Sequence, residues 1–167
     1  SGLKRLWDQL PLNEFELTLA VDGGSTDGTR EFLASKNVPV LDQPIAGRGV
    51  AFRVAAEAAY TKRMVYYSPD GNEDPADIIR LDDLIAGGAD LAIASRFAQG
   101  AVNEEEGLIR PRARVNEWLS ALANRLFNKG PYVTDTINGF RAMNRRAFLD
   151  MQTTVKRFPI EYQISIR

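Results

Sequence analysis

The sequence predicts an α/β fold, a mostly parallel sheet flanked by helices. Two observations carry that reading. Short apolar runs of strand character alternate with segments of helical spacing, the pattern of strands joined by helical crossovers. The two most polar, glycine-containing turns, DGGSTDG and SPDGNEDP, each follow directly after such a run, on the side where open parallel sheets bind their ligands.

The elements follow in order. Leu3, Leu6, Trp7 and Leu10 recur at helical spacing, and Pro11 ends that segment. Residues 15–21 (FELTLAV) predict a strand stopped by DGGSTDG. A helix over 27–35 and a short strand over 38–41 come next, then the glycines of AGRG and an Ala-rich helix over 48–61. Residues 64–67 (MVYY) predict a buried strand ending at SPDGNEDP; a helix over 76–85 and a strand over 90–95 (DLAIAS) continue the alternation. Residues 97–110 lack periodicity and hold three adjacent glutamates, which predicts a long loop. A long helix over 112–128 follows, with Val115, Trp118, Leu119, Leu122 and Leu126 as its apolar face.

At 167 residues, without repeats, low-complexity tracts or linkers, residues 1–167 read as a single domain. A hydrophobic fraction of 44% and a charged fraction of 26% are those of a folding globular chain. There is no cysteine and no histidine, which removes disulfides, thiol nucleophiles, thiolate or imidazole zinc sites and imidazole acid–base catalysis. Chemistry here rests on carboxylates, hydroxyls, amides and cations. No apolar run reaches membrane-spanning length and no signal pattern opens the chain, so it reads as soluble. The net charge of -1 argues against a nucleic-acid binder but hides an asymmetry. Residues 1–106 carry 10 basic and 18 acidic side chains, and residues 107–167 carry 11 and 4. The last third is therefore cationic, and phosphate is the first anionic partner to consider.

Three turns concentrate the polar chemistry. Asp22 closes an apolar strand with no evident capping duty and is expected to contact a ligand, beside Gly24 and Ser25 in a turn open enough for a nucleotide. Asp27 is expected to cap the following helix. Within SPDGNEDP, Asp74 reads as a cap ahead of Pro75, leaving Asp70 and Asn72 as candidate ligands for Mg²⁺ or Mn²⁺. Arg110, Arg112 and Arg114 begin the long helix, where a phosphate site and a solvated charged face opposite Glu104–Glu106 are equally good readings. Arg48, between two glycines at another helix start, leaves phosphate contact and surface ion pairing equally open.

Taken together and in order, these motifs resemble the family-2 inverting glycosyltransferases of GT-A fold, most closely the polyprenyl-phosphate sugar transferases of the dolichyl-phosphate mannose synthase type. VDGGSTDGT is similar to the family's VDDGSTDGT, GRGVAFRVAAEAA to its GKG and Ala-rich helix, and SPDGNEDPADI stands at its DxD segment. GADLAIASRF resembles its G-x-D-hydrophobic-GSR strand, and VTDTINGFRAMNRRAF its DTxSGFRAF segment. The resemblance implies a Rossmann-like GT-A sheet whose first strand would lie upstream of Ser1, with further chain expected beyond Arg167. It implies a hexosyltransferase moving sugar from a GDP- or UDP-linked donor to a polyprenyl phosphate with inversion. By that resemblance Asp22 contacts the nucleoside, Asp70 with Asn72 holds Mg²⁺ or Mn²⁺ at the diphosphate, and Arg96, Arg110 and Arg114 face donor diphosphate and acceptor phosphate. An ionised acceptor phosphate needs no strong base, in keeping with the absence of histidine. Gly23 and Ser68 depart from the family pattern, leaving one carboxylate where it often has two.

Two other readings keep the fold. One replaces the acceptor with a glycan or glycolipid hydroxyl and needs a catalytic carboxylate, for which Asp135 is the nearest candidate, although a structural role suits it better. The other is a non-catalytic nucleotide-sugar-binding module. A nucleotidyltransferase fits less well, because its glycine-rich N-terminal signature is missing. The lipid acceptor and the cationic last third imply a cytoplasmic protein, peripheral to the cytoplasmic face of a membrane.

Overall fold

The structure, a computed structural model, describes residues 2–95, 110–127, 132–136, 138–151 and 164, with the backbone alone at 110–117 and 127. The chain opens with helix α1 (Gly2–Leu6) and two 3-10 turns, Trp7–Gln9 and Leu12–Glu14. Strand β1 (Ala20–Asp22) pairs in parallel with β2 (Val40–Asp42), Ala20 opposite Val40 and Asp22 opposite Asp42, with helix α2 (Thr29–Ser35) as the crossover. The strand expected over 15–21 is thus cut to its last residues. Asn37 sits at φ 56°, Pro39 has no amide to give, and the ladder begins only at Val40, so residues 15–19 find no partner on that side.

Helix α3 (Arg48–Ala58) leads to β3 (Arg63–Tyr66), then α4 (Asp77–Ala86), β4 (Leu91–Ile93), the 18-residue α5 (Arg110–Phe127), β5 (Arg141–Asn144) and α6 (Arg145–Asp150). β5 lies between β3 and β4 and runs antiparallel to both. The α/β fold of a parallel pair and helical crossovers is as expected; among the described residues β1 and β2 pair in parallel, and β5 adds two antiparallel pairings by entering between β3 and β4. β3 and β4 still run the same way, joined by α4 as a helical crossover.

β5 has a core on each face. Ala142 packs with Ile78, Leu81 and Ile85, the i, i+3, i+7 stripe of α4, while Met143 packs with Phe52, Ala56 and Phe148 of α3 and α6. A strand so placed is buried on both faces, and Arg141, Ala142 and Met143 are each 1% exposed or less. The α6 start is fixed by Asn144, whose side-chain oxygen accepts the amides of Arg146 and Ala147 at 2.9 and 3.2 Å.

The apolar face expected of α5 does not sit in the core. Ser120 is buried, and its hydroxyl shares a hydrogen bond with Thr136. Asn124 bonds the Ser120 and Val133 carbonyls at 2.7 Å each and accepts the Val133 amide. The helix docks through these polar groups, while Trp118, Leu122 and Leu126 stand exposed; the Val115 side chain lies outside the described residues.

Candidate functional site

Between the two sheets lies a cleft of about 590 Å³, lined from one side by β1 and the turn after it and from the other by β3 and its following turn. Asp22, Ser25, Arg48, Ser68, Asp70, Asn138 and Gly139 all contribute to its lining, and residues between Leu10 and Leu19 furnish much of its apolar part. Four of the sequence-predicted residues, Asp22, Ser25, Arg48 and Asp70, therefore meet around one cavity. Gly24 and Asn72 belong to the same turns but not to the lining.

Asp22 is buried, and its carboxylate organises the turn that follows. It accepts the Gly24 amide at 3.1 Å, the Ser25 amide at 3.1 Å and the Arg30 guanidinium at 2.9 Å. Gly24, at φ 102°, takes a conformation that favours glycine. The expectation that Asp22 lacks a local duty is corrected: short-range amides and an arginine from α2 satisfy it, and Arg30 also reaches Asp42 at 2.7 Å. Hydrogen bonds, led by the Ser25 hydroxyl, outweigh burial and hold the carboxyl at about 2. It is a permanent anion on the cleft wall. The N-cap of α2 is Gly28, not Asp27 as expected; Asp27 stands one residue earlier, its Oδ1 accepting both the amide and the hydroxyl of Thr29 at 3.2 and 2.6 Å.

The turn after β3 carries Asp70 at the cleft rim, exposed, with its Oδ1 accepting the Asn72 amide at 3.0 Å. Gly71, at φ 98°, allows that bend. Asp74, expected to cap α4, lies short of it: the N-cap is Ala76, which has no side-chain cap bond, and the Asp74 carboxylate accepts the Ala76 amide at 2.9 Å within the turn that leads into the helix. The Tyr67 hydroxyl donates to the Glu73 carbonyl at 3.2 Å; burial first, then the charges of Glu73, Asp70 and Asp74, push its pKa up to about 12. Helix α1 braces this turn. A Cβ at Gly2 would collide with the Pro69 carbonyl, and one at Gly71 would lie 2.5 Å from Arg5.

Among the described residues no cluster of three or more acidic side chains could cage a metal unaided. One rim carboxylate fits a different kind of site. Mg²⁺ and Mn²⁺ accept oxygen donors, and Mg²⁺ in particular is often held by one or two carboxylates with substrate phosphates completing the shell.

Arg48 opens α3 on the cleft wall, and its guanidinium packs close to Gly139: a Cβ there would stand 2.8 Å from Nη1 and 3.2 Å from Cζ. The segment holding Gly139 is a buried polar network. Asn138 donates to the Ala94 carbonyl at 2.9 Å and accepts the Phe140 amide at 3.2 Å. The Arg141 Nε donates to the Asn138 carbonyl at 2.9 Å, and its Nη2 reaches the Asn138 and Thr136 carbonyls. Thr134 bonds Ser95 across the same junction. Sequence reasoning on residue types did not single out Asn138 or Gly139; the only signal was their place in NGFR, within one of the resembling segments.

Asp135 is 1% exposed and does not line the cleft, as a structural role demands. Arg96 lies outside the described residues, as do the loop over 97–109 and the segment over 159–162. Arg110, Arg112 and Arg114 are placed by backbone in the first turns of α5, and their side chains lie outside the described residues.

With three turns converging on one cleft, the sequence pattern of glycosyl transferase family 2 matches residues 2–151. The chain belongs to that family. It is 33% identical over 162 residues, 91% of its length, to Glycosyltransferase AglJ of Haloferax volcanii, of which it spans 49%. Its fold is similar to that of glucosyl-3-phosphoglycerate synthase from Mycobacterium tuberculosis, solved with Mn²⁺ and UDP-glucose: TM-score 0.69 and 18% identity, over 96% of this chain and 57% of that one. The same enzyme solved with phosphoglyceric acid matches at TM-score 0.62 and 20% identity, over 87% of this chain and 52% of that one. This family-2 chain thus spans about half the length of the relatives it matches. Within the family fold, the turns after β1 and β3 are the two polar loops on the cleft.

Proposed function

We propose that this chain is the donor-binding and catalytic part of a family-2 glycosyltransferase that transfers a hexose from a GDP- or UDP-linked donor to a polyprenyl phosphate with inversion. The observation that carries the reading is the convergence of Asp22, Arg48 and Asp70, from three separate elements, on one cleft in a family-2 chain. The donor nucleoside lies along the Asp22–Ser25 turn, and its diphosphate runs between Arg48 and Asp70. Asp70, with Asn72 beside it, would hold Mg²⁺ or Mn²⁺, which supplies neutralising charge at the diphosphate when bound. Mn²⁺ and UDP-glucose stand together in the crystal of the synthase of similar fold, in keeping with this arrangement.

Arg48 carries fixed positive charge at a helix start, where the leaving nucleoside diphosphate gains negative charge, and so stabilises the transition state more than the ground state. Arg96, Arg110 and Arg114 are assigned to the acceptor phosphate and the outer donor phosphate. An acceptor phosphate is ionised at neutral pH, so the transfer requires no histidine. Its oxygen forms the new bond to the anomeric carbon as the bond to the nucleoside diphosphate breaks, and the charge leaves with the diphosphate.

Two observations bear on the acceptor. Asp135, which a hydroxyl acceptor would need as a base, is buried away from the cleft and weighs against that version. Phosphoglyceric acid in the synthase structure favours a second reading, a small phosphorylated acceptor. The test is a transfer assay with GDP- and UDP-hexoses in Mn²⁺, offering polyprenyl phosphate, phosphoglyceric acid and a glycolipid in parallel. Label moving to polyprenyl phosphate with the anomeric configuration inverted is the expected result. Label moving only to another acceptor overturns the lipid-phosphate assignment, and no transfer to any acceptor from any donor overturns the transferase.

A further inference from the structure

Gly23 stands in the turn after β1 where the resembling VDDGSTDGT pattern has a second aspartate, and another side chain reaches the space it leaves. A Cβ at Gly23 would lie 3.1 Å from Oε1 of Gln43. The two residues meet because the parallel ladder continues one step past Asp22 and Asp42: the Gln43 amide donates to the Asp22 carbonyl at 2.9 Å. Residues opposite one another on paired strands share a face, which brings the Gln43 side chain beside the turn.

The side-chain amide of Gln43 is held in one orientation. Its Nε2 donates to the Ile45 carbonyl at 2.9 Å and to the Gly47 carbonyl at 2.6 Å. Both partners only accept, so the NH2 faces them and the oxygen faces away. Among the described residues no donor meets that oxygen. The neighbouring acceptors are engaged: Asp22 by the Gly24 and Ser25 amides and by Arg30, and Asp42 by Arg30. A half-buried carbonyl oxygen, aimed by two bonds and without a donor of its own, is a pre-organised acceptor for a ligand N–H.

We propose that Gln43 is a specificity-determining residue of the donor site, its Oε1 accepting the ring N–H of the donor nucleobase. The proposal rests on the reading that lays the nucleoside along the Asp22–Ser25 turn, and it names the base chemistry selected there. Uracil carries a ring N–H at N3, and guanine carries one at N1. The corresponding ring nitrogens of cytosine and adenine are acceptors, and facing Oε1 they would set lone pair against lone pair. A fixed carbonyl therefore selects the first two bases over the others. The bonds to Ile45 and Gly47 also tie down the loop that leads to Arg48, so a purely supporting role is the rival explanation.

Altering the base as well as the protein separates the two. Calorimetric titration in Mn²⁺ compares UDP with 3-methyl-UDP and GDP with 1-methyl-GDP, on wild type and on Q43M, which keeps the side-chain length and removes the amide. For whichever nucleotide wild type binds, methylating the ring nitrogen is expected to weaken binding about tenfold or more. In Q43M the parent nucleotide should bind about tenfold more weakly, with the methylated form within about twofold of it. Wild type that binds parent and methylated forms alike overturns the proposal without any variant. A Q43M that weakens both forms equally and keeps the wild-type ratio also overturns it, and leaves Gln43 as a brace of the loop. In both of these cases UDP or GDP still binds, so the donor site stands. Binding of neither nucleotide to wild type is a different failure, that of the donor-site reading itself, and it removes the base assignment as well.

Discussion

Replacing Gly139 with alanine separates two roles that the cleft wall combines. The added methyl carbon would sit 2.8 Å from Arg48 Nη1, 3.2 Å from Cζ and 3.4 Å from Cδ, whereas ordinary contacts between such atoms begin near about 3.5 Å. The guanidinium must withdraw by several tenths of an ångström. It is the far end of a flexible side chain, so the fold absorbs the change, and the thermal midpoint of G139A should stay close to wild type. Binding should not. A charge-assisted hydrogen bond to phosphate contributes about 1.5–3 kcal/mol, so R48A is expected to weaken nucleoside diphosphate binding by roughly 10- to 100-fold. G139A, which displaces the group without deleting it, should lose part of that, on the order of fivefold. Because both changes act through one guanidinium, the double variant G139A/R48A should bind like R48A alone. Calorimetric titration with UDP and GDP reads all three. If G139A binds as wild type, or if its loss adds in full to that of R48A, the contact between Gly139 and Arg48 does not set the phosphate position.

Other outcomes follow from the same geometry. Asp22 has its carboxyl held at about 2, below the ordinary 3.8, so its stabilisation is complete above about pH 4 and disappears as the pH falls toward 2. The shift corresponds to about 2 kcal/mol at most, and Arg30 is partly open to solvent, so D22N should cost about 1–2 kcal/mol in urea unfolding at neutral pH. The difference from wild type should shrink between pH 4 and pH 2, about the two pKa values; a constant difference across that range contradicts the assignment. N138A leaves the Ala94 carbonyl and Phe140 amide without their buried partner and should cost about 1–3 kcal/mol, seen as a lower urea midpoint with an unchanged slope. A variant as stable as wild type would show that this latch between β4 and β5 carries no weight.

The parts of the fold that were legible are those where pattern and environment agree. α4 declares itself through Ile78, Leu81 and Ile85, and α3 through its alanines between glycine-marked turns. β5 was not legible: Arg-Ala-Met-Asn has no β-branched residue, and it is a strand because it fills the centre of a sheet, a tertiary fact. The stripe on α5 has the right period for a core helix, but periodicity shows only that one face is apolar, not which face packs. Ser120 and Asn124 settle that through hydrogen bonds to a segment distant in sequence.

The site divides the same way. Asp70 and Arg48 were visible because proline and glycine punctuation marks the strand end and helix start that hold them. Asp22 was correctly placed on the cleft, but its bonds to Gly24, Ser25 and Arg30 depend on the backbone path of the turn and on a side chain from the next helix. Gly139 matters through its closeness to Arg48, residues far apart in the chain, which no local pattern records.

The most direct test of the account is calorimetric titration of wild type and D70A with UDP and GDP, each with and without Mn²⁺. The account predicts that one nucleotide binds wild type in a Mn²⁺-dependent way and that D70A loses that dependence together with most of the affinity. Affinity unchanged in D70A, or binding indifferent to Mn²⁺ in both proteins, would contradict the claim that the turn after β3 and the turn after β1 together form one donor site.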